Sequence, residues 1–199
     1  MSLDQELAAG DDIVTVFVDP GRRFSELRAD LMAAGRRTAP TPRTTPPDPI
    51  RPGTQTLDSY AFQTRPTVLR RLAALMADLL PERLDRLIAA TPDDTPLTTA
   101  IALHTGLAYA LAEVPADHSS TAGTGLAVRG EIHRGERIAV VTAVTATGTS
   151  ALRTADAARA AGTDVAAVLT AVDRDIQAAA RLALAGHELR PLFTAVHPH

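Results

Sequence analysis

The most regular alternation of apolar and polar stretches lies in the last third of the chain. Arg137-Ile-Ala-Val-Val-Thr-Ala-Val144 is an apolar, β-branched run of strand length, and Asp164–Val172 and Leu189–Val196 repeat it. Between these runs, Ala151–Ala161 and Ile176–Ala185 have helical length and composition and stop at Gly162 and Gly186. Strand, helix, strand, helix, strand at this spacing predicts an α/β fold built on a doubly wound parallel sheet.

Upstream, helical periodicity is clearest after Pro66, where Val68, Leu69, Leu72, Leu75, Met76, Leu79 and Leu80 form a stripe closed by Pro81. Leu84–Ala90 is a short apolar strand, and Thr91-Pro-Asp-Asp-Thr-Pro96 is a turn. Leu97–Gly106 is a helix capped by its glycine, Leu107–Leu111 a further strand, and Asp117–Gly125 a polar loop. Near the start, Ile13–Val18 reads as a strand. Phe24–Ala34 reads as a helix with Phe24, Leu27, Leu31 and Met32 on one face. Thr38–Gly53 holds six of the 14 prolines, which deny it a helix or a ladder, so it is an extended Pro-rich loop. The expected division is an N-terminal strand/helix segment with the Pro-rich loop over 1–53 and a core domain over 54–199.

Composition narrows the chemistry. The 199 residues are 45% hydrophobic with a formal charge of −3, which implies no polyelectrolyte partner. All 20 basic residues are Arg, and the lack of Lys excludes Schiff-base catalysis and a P-loop lysine. The absence of Cys excludes disulfides, thiolate nucleophiles and cysteine-ligated metals. The first seven residues are acidic and unlike a signal peptide, and the longest apolar stretch, near Ile138–Val144, is too short to span a bilayer. A cytoplasmic protein with no membrane partner is expected. An aromatic content of 3% and no recognised motif argue against a nucleic-acid partner.

In an open parallel sheet, ligands sit beyond the carboxyl ends of strands. Thr91–Pro96, Thr145–Ser150 and the loop after Val172 occupy such places. The middle turn, Thr145-Ala146-Thr147-Gly148-Thr149-Ser150, carries a glycine that admits close backbone approach, several hydroxyl donors, and a following helix N-terminus that favours an anion such as a phosphate monoester. Helix capping by Thr and Ser is the alternative reading.

The stretch Arg137-Ile-Ala-Val-Val-Thr-Ala-Val-Thr-Ala-Thr-Gly-Thr-Ser150 resembles the ribose-phosphate-binding signature of type I phosphoribosyltransferases. Asp164–Arg174, with its Asp-Arg ending, and Pro191–Thr194 resemble the following strands of the orotate branch. Ser59–Gln63, Thr95–Leu103 and Asp117-His118 fall in matching order, so the resemblance spans about residues 54–199. It implies the type I phosphoribosyltransferase fold, a dimer, and transfer of ribose 5-phosphate from phosphoribosyl pyrophosphate (PRPP) to orotate. It also implies magnesium, as far as PRPP chemistry survives.

Several positions depart from the signature that the resemblance brings. Its acidic pair falls at Thr142 and Ala143, and its pyrophosphate turn has Asp93 and Asp94 in place of Lys and Gly. The loop cations fall at Ala112, Glu113 and Ala116, which leaves Asp117 and His118. Each lost charge-assisted hydrogen bond removes about 1.5–3 kcal/mol. The loop at Thr145–Ser150 is kept.

The expected protein is therefore a divergent orotate phosphoribosyltransferase-like chain unable to use PRPP. It keeps a phosphate loop for a phosphorylated sugar or nucleotide, and serves as a binding, regulatory or partner subunit in a homodimer or heteromer. One alternative is an altered chemistry on a ribosyl phosphate, with His118 and Asp94 as acid–base candidates beside Asp93 and Glu113. Another is an active enzyme completed by a partner. No metal site is expected. His104 is expected in a partly buried core or interface position, Asp93 and Asp94 as exposed turn acids, and His197 and His199 in a tail.

Overall fold

The computed structural model describes residues 16–18, 25–35, 58–113 and 126–196. Seven strands form one sheet in the order β1-β7-β6-β5-β2-β3-β4. They are β1 (Val16–Val18), β2 (Arg86–Ala89), β3 (Ala108–Glu113), β4 (Ala127–Arg129), β5 (Arg137–Thr145), β6 (Asp164–Asp173) and β7 (Leu189–Val196). The helices are α1 (Ser25–Gly35), α2 (Ser59–Gln63), α3 (Pro66–Ala77), α4 (Thr95–Thr105), α5 (Thr149–Ala160) and α6 (Ile176–Leu184).

The five central strands, β3-β2-β5-β6-β7, are mutually parallel, whereas β4 and β1 close the two edges antiparallel to β3 and β7. Chain order reverses between β2 and β5. A crevice opens at the carboxyl ends of strands where the connections leave in opposite directions.

Successive residues of a strand face opposite sides of the sheet, so each strand feeds two cores. Leu87, Ala139, Val141 and Ala143 join Leu27, Leu31, Phe62, Leu72, Met76, Leu97 and Ile101 of α1–α4. Ile88, Ile138 and Val140 face the other way, toward Ala151, Ala155 and Ala158 of α5 and Leu182 of α6. The doubly wound α/β architecture is the one the apolar runs predict.

Several details differ from the sequence reading. The turn after β2 is a single 3-10 turn, Pro92–Asp94, and α4 begins at Thr95, two residues early, because Pro96 suits a first helical turn. α5 likewise starts at Thr149. The short elements α2 and β4 have no periodic signal of their own. His104 is exposed, because α4 buries Leu97, Thr98, Ile101 and Ala102 and turns its last residues outward. The first half of the Ile13–Val18 strand, Phe24, the Pro-rich loop, the 117–125 loop and the His197/His199 tail lie outside the described residues.

Candidate functional site

The crevice between β2 and β5 is walled by two turns. The first holds Asp93 and Asp94, and it is tied down on every side. Asp94 is 5% exposed. Its Oδ1 accepts from the Ala143 N–H at 2.7 Å and from the Thr142 hydroxyl at 3.3 Å, and its Oδ2 accepts from the Thr91 hydroxyl at 2.6 Å. Burial pushes its carboxyl up to about 6, against the pull of those three donors. Asp94 is thus a buried staple across the crevice rather than an exposed turn acid.

Asp93 stays outside, where the Tyr60 hydroxyl donates to its Oδ1 at 2.8 Å; that hydrogen bond to a carboxylate raises the Tyr60 pKa. Buried Gln63 clamps the same turn from α2. Its Nε2 donates to the Asp93 carbonyl at 3.0 Å, and its Oε1 accepts from the Leu97 N–H at 3.1 Å.

Two of the turn's N–H groups are turned inward. The Asp94 N–H donates to the Thr91 carbonyl and the Thr95 N–H to the Pro92 carbonyl, while Pro92 and Pro96 have no N–H to offer.

The second turn runs from Thr145 into α5 and is the opposite kind of surface. A pocket of about 130 Å³ is lined by Thr142 and residues 144–151, which include no charged side chain. Gly148 is the N-cap of α5 at φ +74°, a conformation that favours glycine, and α6 packs directly behind it. The Thr147 and Thr149 hydroxyls lie 3.0 Å apart, and Arg181 of α6 donates through Nη1 to Thr149 Oγ1 at 2.7 Å. Thr145 lines the pocket with its residue 4% exposed, and its buried hydroxyl has no partner among the described residues. An unpaired buried hydroxyl costs free energy. Thr145 and the first residues of α5 line the same pocket, and a helix N-terminus favours an anion.

β6 completes the rim. Its register sets Asp173 beside Thr145, and the Arg174 N–H donates to the Thr145 carbonyl at 2.7 Å. Both side chains are buried, which raises the Asp173 carboxyl and lowers the Arg174 guanidinium from their usual values.

Thr142 and Ala143 lie inside β5, shortly before its end, with Thr142 lining the pocket and the Ala143 side chain in the core. Ala112 and Glu113 are the last residues of β3. Ala112 is buried, and Glu113 pairs with Arg129 on β4. Ala116 and His118 lie outside the described residues. Among those described, no cluster of three or more His, Asp or Glu side chains is placed to hold a metal ion.

No family model matches the chain. Among curated proteins it is 35% identical to the orotate phosphoribosyltransferase of Halobacterium salinarum over 140 residues, covering 70% of this chain and 77% of that one. It is 32% identical to that of Natronomonas pharaonis over 139 residues, covering 70% and 78%. The chain belongs to the orotate phosphoribosyltransferase family.

Its fold is likewise that of the orotate phosphoribosyltransferase of Aeropyrum pernix, with a TM-score of 0.63 at 22% identity over 73% of this chain and 83% of that one. Sequence reasoning located the turns at 91–96 and 145–150 but missed the contacts that Gln63 and Arg181 make with them. Gln63 and Arg181 lie 30 or more residues from their partners, and no local spacing marks such a contact. Arg174 was visible as part of the Asp-Arg pair at the end of β6 and just beyond it, although its burial was not.

Among the described residues, no helix is long and apolar enough to cross a membrane.

Proposed function

We propose that this family member binds a phosphomonoester, a sugar phosphate or a nucleotide, at Thr145–Ser150 without transferring ribose 5-phosphate from PRPP, and that it acts as a binding or regulatory subunit. One contrast supports the reading above all others: the two walls of the crevice have opposite character. The loop at 145–150 offers a helix N-terminus and the unpaired Thr145 hydroxyl to a single phosphoryl group. The facing turn carries two carboxylates and two prolines, and its Asp94 and Thr95 N–H groups are already spent on Thr91 and Pro92. A diphosphate leaving group calls for cations and open donors at the place where its charge develops. Asp94 puts a carboxylate there instead, fastened to Ala143 and Thr142.

Calorimetric titration tests this. Ribose 5-phosphate and orotidine monophosphate are expected to bind with comparable, micromolar-range affinity, on the order of −8 kcal/mol. Magnesium–PRPP is expected to bind no more tightly than ribose 5-phosphate, and orotate with PRPP to give no orotidine monophosphate. Turnover of orotate and PRPP by the purified chain would overturn the reading.

That outcome would establish the second reading, a working orotate phosphoribosyltransferase. It is favoured by identity of 35% to a curated enzyme of that name and by the buried Arg174 at the rim. Because the chain has no Lys, its cations would come from Arg or from another protein.

A further inference from the structure

We propose that Arg181 is a positioning residue of the phosphate loop: it orients the Thr149 and Thr147 hydroxyls toward a bound phosphoryl group and supplies the loop with a neighbouring positive charge. The inference rests on the proposed phosphomonoester site and names the element that makes that site selective.

The argument starts from packing. α6 lies against the loop so closely that a Cβ at Gly148 would sit 3.4 Å from the Cα, Cβ and carbonyl oxygen of Ala178. Arg181 follows Ala178 by three residues and so shares its face of α6. Its guanidinium reaches Thr149 Oγ1 at 2.7 Å. A guanidinium only donates, so Thr149 Oγ1 is the acceptor in this bond and its own hydrogen is directed elsewhere. The group within reach is Thr147 Oγ1, at 3.0 Å, which also faces the Thr149 N–H at 3.5 Å. One of the two hydroxyls donates to the other, and whichever accepts keeps its own proton to give to the pocket. The three groups thus form a connected chain, Arg181, Thr149 and Thr147, with one hydroxyl proton left over for a ligand.

Charge adds to orientation. The pocket lining has no ionised side chain, and Arg181 hydrogen-bonds directly to one of its members. A hydroxyl that accepts from a cation is a stronger donor in turn. Arg181 is itself exposed, so its removal leaves both cores intact.

The test is a double-mutant cycle read by calorimetric titration with ribose 5-phosphate. Arg181→Gln is expected to weaken binding about tenfold with an unchanged thermal midpoint, and Arg181→Lys to recover part of the loss. Thr149→Val should weaken binding by a similar factor. The double variant should be no weaker than the poorer single one, because both changes cut the same chain. Wild-type binding retained in Arg181→Gln, or strictly additive losses, would overturn the positioning role while leaving the phosphate site standing. A wild-type chain that binds neither ribose 5-phosphate nor inorganic phosphate would overturn the site and this role together.

Discussion

Asp94 shows how one side chain can reverse the meaning of a sequence signal. Two adjacent acids in a Pro-bounded turn read as solvent-exposed, and only the register of β2 against β5 brings one of them under Ala143. The structure makes a sign-definite statement about pH. Burial raises the Asp94 carboxyl from its ordinary value of 3.8 to about 6, so the folded state binds a proton more tightly than the unfolded chain. The resulting stabilisation is fully present below pH 3.8 and is lost as pH rises through about 6. The shift corresponds to about 3 kcal/mol. Asp94→Asn keeps an acceptor for the Ala143 N–H and removes the titration. Relative to that variant, the wild-type chain should lose about 2.5 kcal/mol of stability between pH 4 and pH 8 in denaturant unfolding; parallel profiles would refute the assignment. Asp94→Ala also removes the titration, so its cost, which includes about 1–3 kcal/mol for the orphaned Ala143 N–H, should be larger at pH 4 than at pH 8.

At the scale of elements, the loop into α5 depends on a backbone conformation rather than on a side chain. Gly148 and Gly106 share nearly the same left-handed φ, +74° and +79°, but differ in their surroundings. Nothing lies within 4 Å of a Cβ at Gly106, whereas one at Gly148 would rest on Ala178. Alanine at either position should therefore cost about 1–2 kcal/mol and lower the thermal midpoint by several degrees. Gly148→Ala should in addition weaken binding of ribose 5-phosphate, which Gly106→Ala should leave unchanged; equal effects on binding would separate the loop from the site.

Elements of this kind were readable in advance. Gly106, Gly162 and Gly186 mark the ends of α4, α5 and α6, and the β-branched runs mark β5, β6 and β7, because each signal is local. The missed elements have none. β4 is three residues placed by a ladder to β3 and by the Glu113–Arg129 pair, and α2 is five residues capped by Asp58. The site divides the same way. The threonines and Gly148 follow a strand directly, whereas Gln63 and Arg181 arrive through tertiary packing.

For the whole molecule, the decisive question is whether the part preceding residue 54 is an appendage or a wall of the core. The expected division falls in the Pro-rich stretch, and the described elements before it make contacts with those after it. Leu27 and Leu31 of α1 are fully buried in the cluster that also holds Phe62, Leu72 and Met76, and α1 packs on both α2 and α3. β1 pairs with β7 and so covers an edge of the sheet that would otherwise offer unpaired N–H and C=O groups. α2 in turn carries Gln63 and Tyr60, which hold the 91–96 turn. Mechanical support for the crevice thus reaches back to the first helix.

A chain starting at residue 54 should lose far more than its missing contacts to solvent, since each deleted buried leucine is worth about 2–5 kcal/mol where the site cannot collapse. Its thermal midpoint is expected to fall by ten degrees or more, with self-association through the bared edge of β7 visible in light scattering. Leu27→Ala and Leu31→Ala in the full chain should reproduce the destabilisation without the association, because β1 still covers that edge. A truncated chain as stable and as monodisperse as the full one would show that residues 54–199 fold alone.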